Sequence, residues 1–75
     1  MVFDKIREIV ALQMEVPETK IVMETEFDRD LNADSLDVFQ IIAEAEDAFG
    51  MEFETNASHK IKTVGDAVRY IENER

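Results

Sequence analysis

Residues 30–37 read Asp30-Leu31-Asn32-Ala33-Asp34-Ser35-Leu36-Asp37, and the way this stretch ends a loop and opens a helix decides the rest. Asp34 has the short acceptor side chain that a helix N-cap needs. Asp37, three residues on, can reach back to the N–H of the cap. With Asp34 as the cap, Ser35 stands at the first helical position with no capping duty. Its hydroxyl then faces outward at the helix N-terminus, among unpaired N–H groups and the positive end of the helix dipole. That is a favourable seat for a phosphate diester. No base lies within reach by sequence to make Ser35 a catalytic nucleophile. The same letters also allow Ser35 itself to be the cap, and Asp-Ser-Leu alone does not separate the two readings.

Downstream, the helical pattern runs from Asp34 to Gly50, a residue that tolerates the positive φ that closes a helix. Val38, Ile42, Ala45 and Phe49 form its core stripe, with Ile41 alongside. Upstream, residues 15–34 form a long connection in which Val16, Ile21, Val22, Phe27 and Leu31 are expected to pin the chain to the core. Before it, Phe3, Ile6, Val10 and Met14 recur at helical spacing with Ile9 beside them, which predicts a first helix over roughly 3–14. Pro17 is expected to end it, because a residue that precedes proline avoids helical backbone.

After Gly50, Met51 and Phe53 alternate with Glu52 and Glu54. The alternation imitates a short strand, but a loop and a one-turn helix near Asn56–Lys60 is preferred. Thr63 and Asp66 have the spacing of an N-terminal capping pair. Val64, Ala67, Val68 and Ile71 then mark a last helix. The expected fold is an all-α four-helix bundle: three main helices, one short helix and a long loop between helices 1 and 2. Residues 1–75 read as a single domain, with no internal repeat or linker.

Composition narrows the chemistry. There is no Cys, which excludes disulfides, thiolate metal sites and cysteine nucleophiles. His59 is the lone histidine, so a triad or a multi-histidine zinc site lacks its partners. Met1 to Arg7 carry both charge signs and no long apolar run follows, so neither a signal peptide nor a membrane span is read, and the cytoplasm is the expected location. The net charge of −10 repels nucleic acid and anionic lipid, and favours basic protein surfaces. The acid is concentrated: between Glu24 and Glu54 stand Glu24, Glu26, Asp28, Asp30, Asp34, Asp37, Glu44, Glu46, Asp47, Glu52 and Glu54 against Arg29 alone.

An Asp-Ser-Leu that opens an acidic second helix, after an acidic residue, a leucine and a turn, resembles the acyl carrier protein family. The likeness extends along the chain, through Phe49-Gly50 and Lys60-Ile61-Lys62-Thr63-Val64 into Tyr70-Ile71. It implies a non-catalytic carrier bearing 4′-phosphopantetheine on Ser35. A carrier-protein synthase, that is, a phosphopantetheinyl transferase, would place the arm from coenzyme A with magnesium. The family likeness further implies acyl thioesters on that arm, presented to fatty acid synthesis enzymes with basic docking patches by a monomeric protein. Polyketide, peptidyl and cell-wall aminoacyl carriers share the serine pattern and remain alternatives. Asn32 stands where the family has glycine, and Asn is the next most tolerant residue at positive φ. Gln40 replaces a frequent acid, Ala43 replaces a larger apolar residue, and Phe53-Glu54 replaces a stretch with proline.

The second helix would present the partner face. Asp37, Gln40, Glu44 and Asp47 make a polar stripe with Glu46 nearby, and Leu36, Phe39 and Ala43 make an apolar one. The resemblance places partner contacts at Asp34, Leu36, Asp37, Phe39, Gln40, Ala43, Glu46 and Asp47, while Glu44 reads as a solvated side chain. It also suggests Phe27, Ile41, Ile42, Ala45, Phe49, Ile61 and Ala67 as lining for an acyl chain, although composition alone reads each as ordinary core. The readings of another class are an acidic interaction domain without an arm and a divalent-cation site. Asp28-x-Asp30-x-Asn32 matches the start of an EF-hand loop, but the glycine position is Ala33 and the twelfth is Phe39. No metal ligand is therefore assigned.

Overall fold

The computed structural model describes residues 1–74. Among the described residues four helices form: α1 (Val2–Met14), α2 (Ser35–Phe49), α3 (Ala57–Lys60) and α4 (Val64–Glu74). A 3-10 turn, Glu18–Lys20, interrupts the long connection. Among the described residues the only β contact is an isolated bridge between Glu26 and Thr63, so the expected all-α bundle is what the chain forms. Among the described residues no helix is long and apolar enough to cross a membrane.

Apolar stripes at helical spacing bring α1 against α2 and α4. Ile6, Val10, Ile71 and Val64 have no exposed surface, and Ile9, Ala67 and Val68 complete the seam. On α2 the deepest residues are Ile41 and Ala45, while Val38, Ile42 and Phe49 are half-buried against them. The buried stripe of α2 is therefore centred on Ile41, which the sequence placed beside it.

The end of α1 differs from expectation in its cause. The helix stops at Met14 because Glu15 turns left-handed, with φ 57 and ψ 46. Both Glu15 and Val16 donate their N–H to the Ala11 carbonyl. Pro17, at φ −65, instead leads into the 3-10 turn. Gly50 closes α2 in the same way at φ 61, and there the residue type announced it.

In the connection, Ile21 and Phe27 are buried and Val16 and Leu31 are half-buried, as expected of pins. Val22 is not a pin: half of it is exposed. Ile21 is extended (φ −105, ψ 121), and successive side chains of extended backbone point to opposite sides. Thr25 is buried in its place, and its Oγ1 accepts the Val22 N–H at 2.9 Å.

Three backbone hydrogen bonds clasp this connection to the start of α4. Phe27 N–H donates to Lys62 O (3.0 Å), Val64 N–H to Thr25 O (2.9 Å) and Gly65 N–H to Met23 O (2.8 Å). A β-carbon at Gly65 would lie 2.9 Å from that Met23 oxygen, so the approach requires glycine.

Thr63 and Asp66 cap α4 reciprocally: Asp66 N–H donates to Thr63 Oγ1 (3.0 Å), and Thr63 N–H donates to Asp66 Oδ2 (3.1 Å). Partial burial would raise the Asp66 pKa. Hydrogen bonds from the Lys62 and Thr63 amides, the Arg69 guanidinium and the Thr63 hydroxyl outweigh it, holding the carboxyl below its ordinary value. A depressed folded-state pKa gives stability that is complete above the unfolded value, about 3.9, and lost as pH falls through the folded value. Urea unfolding of the wild type and Asp66→Asn should therefore differ most at neutral pH. The gap should narrow below about pH 4, and a gap independent of pH would contradict this account.

Candidate functional site

Asp34 is extended (φ −91, ψ −177), as an N-cap must be. Its Oδ1 accepts the Asp37 N–H at 2.9 Å, while Asp37 Oδ2 accepts the Asp34 N–H at 3.2 Å. This reciprocal box relieves Ser35 of capping. Ser35 is the first residue of α2 and is exposed. Among the described residues nothing hydrogen-bonds its Oγ, and the Ser35 and Leu36 amides have no acceptor. Asp34→Ala should cost about 0.5–2 kcal/mol of stability, read as a lower urea midpoint with an unchanged slope.

The turn before the cap is held from within. Asn32 has φ 56, the conformation for which Asn stands in for glycine. Its N–H donates to Asp28 O at 3.1 Å, and Ala33 N–H donates to Phe27 O at 2.9 Å. Asp30 Oδ2 accepts the Glu26 N–H at 2.8 Å, so this carboxylate braces the turn. Among the described residues no three acidic or histidine side chains converge as metal ligands do.

Beside Ser35 lies an open cleft of about 340 Å³, walled by Phe27, Val38 and Ile61 and rimmed by Glu26, Asp28, Asp34, Ser58 and Lys62. A second cleft of similar size runs between α2 and α3, lined by Phe39, Ile42, Ala43, Glu46 and Phe53. Of the residues suggested as acyl lining, Phe27 and Ile61 face the first cleft and Ile42 the second. Ile41, Ala45 and Ala67 are packed in the core, and Phe49 is half-buried against it.

The outer face of α2 carries the expected stripe. Leu36 is 76% exposed and Phe39 54% exposed, far more than apolar side chains with a core to join. Asp34, Gln40, Ala43 and Asp47 are also exposed, and Gln40 donates to Glu44 Oε1 at 3.4 Å. Two acids have internal partners that sequence spacing did not show. Asp37 Oδ1 accepts from Gln13 Nε2 on α1 at 3.4 Å. Glu46 Oε2 accepts the Phe53 N–H at 2.7 Å, which ties α2 to the following loop. Lys62 and Ser58 at the first cleft were also missed; Lys62 adjoins the Thr63 cap, and that adjacency was the available signal.

A serine-linked phosphodiester needs an accessible oxygen, amide donors and room for the arm. The exposed Ser35 hydroxyl, the open Ser35 and Leu36 amides and the adjoining cleft fit all three. A family model described as a phosphopantetheine attachment site matches residues 4–71. The chain is 44% identical over 72 residues to the acyl carrier protein of Lactobacillus acidophilus, covering 96% of this chain and 90% of that one. It is 45% identical over 73 residues to the acyl carrier protein of Streptococcus pneumoniae, covering 97% and 95%. The solved acyl carrier protein from Enterococcus faecalis superposes with a TM-score of 0.83 at 34% identity, covering 99% of this chain and 94% of that one. With a family match over most of its length and relatives aligned nearly end to end, the chain belongs to the acyl carrier proteins, non-catalytic domains that hold a covalent 4′-phosphopantetheine.

Proposed function

We propose that Ser35 bears the phosphopantetheine arm and that this single domain carries acyl groups as thioesters to partner enzymes of fatty acid biosynthesis, as a cytoplasmic monomer. The supporting observation is the capping box, which leaves the Ser35 hydroxyl exposed and unengaged at the start of α2. Ser35 supplies the attachment oxygen. Its Oγ forms the new P–O bond to the pantetheine-side phosphorus as the pyrophosphate link of coenzyme A breaks. Adenosine 3′,5′-bisphosphate leaves with the electron pair of that link, and the serine proton passes to the transferase. The arm supplies the thiol, which this chain, without Cys, does not.

Partners would dock on Leu36, Phe39 and Ala43, flanked by Asp34, Gln40 and Asp47, through apolar contact and basic residues. Asp37 and Glu46 would join with the carboxylate capacity their internal hydrogen bonds leave over. Each exposed ion pair contributes about 0.2–1 kcal/mol, so several together give weak, quickly reversed binding suited to serial visits. An acyl chain would enter past Phe27 and Ile61 and reach Ile41, Ile42, Ala45, Phe49 and Ala67 by parting the helices, since these residues pack on one another.

The test is loading. Purified apo protein incubated with coenzyme A, magnesium and a broad-specificity phosphopantetheinyl transferase should gain one phosphopantetheine by intact mass, located to Ser35 by peptide sequencing. A folded protein that gains no mass, or gains it elsewhere, overturns the proposal. The acyl species on protein isolated from its own cells tests the pathway, and polyketide, peptidyl or aminoacyl cargo would replace the fatty acid assignment.

A further inference from the structure

The first cleft contains one cation. Its rim has three carboxylates, Glu26, Asp28 and Asp34, and a single basic residue, Lys62. Other basic residues nearby in the chain have partners: Lys60 pairs with Glu54 at 3.5 Å, and Arg29 with Glu26 at 3.6 Å. Among the described residues Lys62 enters no ion pair, although carboxylates share its cleft.

The backbone of Lys62 is held on both sides. Its N–H donates to Asp66 Oδ2 at 2.9 Å, and its carbonyl accepts the Phe27 N–H at 3.0 Å. One bond belongs to the cap of α4 and the other to the clasp on the long connection. The root of the side chain is thus set by two elements, Lys62 lines the cleft that holds Ser35, and among the described residues its ammonium enters no ion pair.

Loading Ser35 adds a phosphodiester anion beside Asp34, in a cleft already rimmed by acid. The open amides of Ser35 and Leu36 offset part of this charge. A lysine ammonium is a mobile point charge suited to phosphate oxygens. We propose that Lys62 is a positioning residue for the prosthetic group, its ammonium pairing with the Ser35-linked phosphodiester and holding the root of the arm at the cleft. This rests on Ser35 as the attachment site. It goes beyond that reading by assigning a phosphate contact in the loaded form to a residue 27 positions away in sequence.

The test uses wild type, Lys62→Gln and Lys62→Arg, each as apo and fully loaded protein with the single increment confirmed by intact mass. Failure of the wild type to load would overturn the Ser35 reading instead, so the two failures are distinguishable. On loading wild type, the Lys62 ε-methylene NMR resonance should shift more than those of Lys5, Lys20 and Lys60, and the shift should shrink in high salt. The phosphorus resonance of the loaded protein should differ between wild type and Lys62→Gln. The change in Tm from apo to loaded form should be more favourable in wild type than in Lys62→Gln, with Lys62→Arg restoring most of the difference. An unmoved Lys62 resonance, or an identical change in Tm in wild type and Lys62→Gln, would overturn the proposal. The resonance test needs only the wild type, so it stands even if a variant folds poorly.

Discussion

Ser35→Ala is expected to abolish loading completely while leaving the domain folded. The reasoning starts from the cap. Asp34 accepts the Asp37 amide and Asp37 accepts the Asp34 amide, so the start of α2 is secured without the serine. The Ser35 side chain is exposed and, among the described residues, unbonded. Removing one exposed oxygen from a helix start falls within about 0.5 kcal/mol of neutral, and alanine is the best helix former. Intact mass should therefore show no phosphopantetheine on a variant whose far-ultraviolet circular dichroism and urea midpoint match the parent. Had Ser35 been the cap, the same change would cost about 1 kcal/mol. A marked drop in stability would thus count against the geometry described here, even with loading lost.

The largest structural effect should come from Ile71→Ala. Ile71 has no exposed surface and sits on α4, the helix that packs against α1. Such a truncation costs about 2–5 kcal/mol, from lost burial and from the cavity left behind. A domain of this length has a total stability of roughly 4–11 kcal/mol, so the loss approaches half or more of it. At about 4–8 °C per kcal/mol for a domain this small, the melting temperature should fall by roughly 8 °C or more. Ile71→Val, with one methyl removed, should cost about 0.5–1.5 kcal/mol. Thermal melts of both variants check the ranking, and an alanine variant no worse than the valine one would refute the packing account. The apolar face of α4 has no substitute elsewhere, because a 75-residue chain has one core.

What the sequence disclosed and what it concealed divide along physical lines. Periodic burial was legible: Val64, Ala67, Val68 and Ile71 are all buried, as their spacing requires. So were local polar rules, since Asp34 with Asp37 and Thr63 with Asp66 bond only across three residues. The connection was less legible. Glu15 takes a left-handed conformation that no propensity favours for glutamate, so Pro17 drew the attention. Val22 was assigned by hydrophobicity alone, whereas the extended backbone at Ile21 decided which neighbour went inward. Long-range polar contacts were hidden altogether. Gln13 to Asp37 spans 24 positions and Glu54 to Tyr70 spans 16, distances over which no periodicity carries information. At the site, the serine and its cap were readable, while Lys62 became visible only when the clasp set it beside them.

Tyr70 gives the fold a built-in reporter. Its hydroxyl accepts the Glu54 N–H at 2.8 Å, and its ring stacks on Phe53 at 4.6 Å. The chain has one tyrosine and no tryptophan, so absorbance and emission above the phenylalanine range arise from this single ring. Whatever moves the segment between α2 and α3, cargo or partner, changes that signal with no label attached.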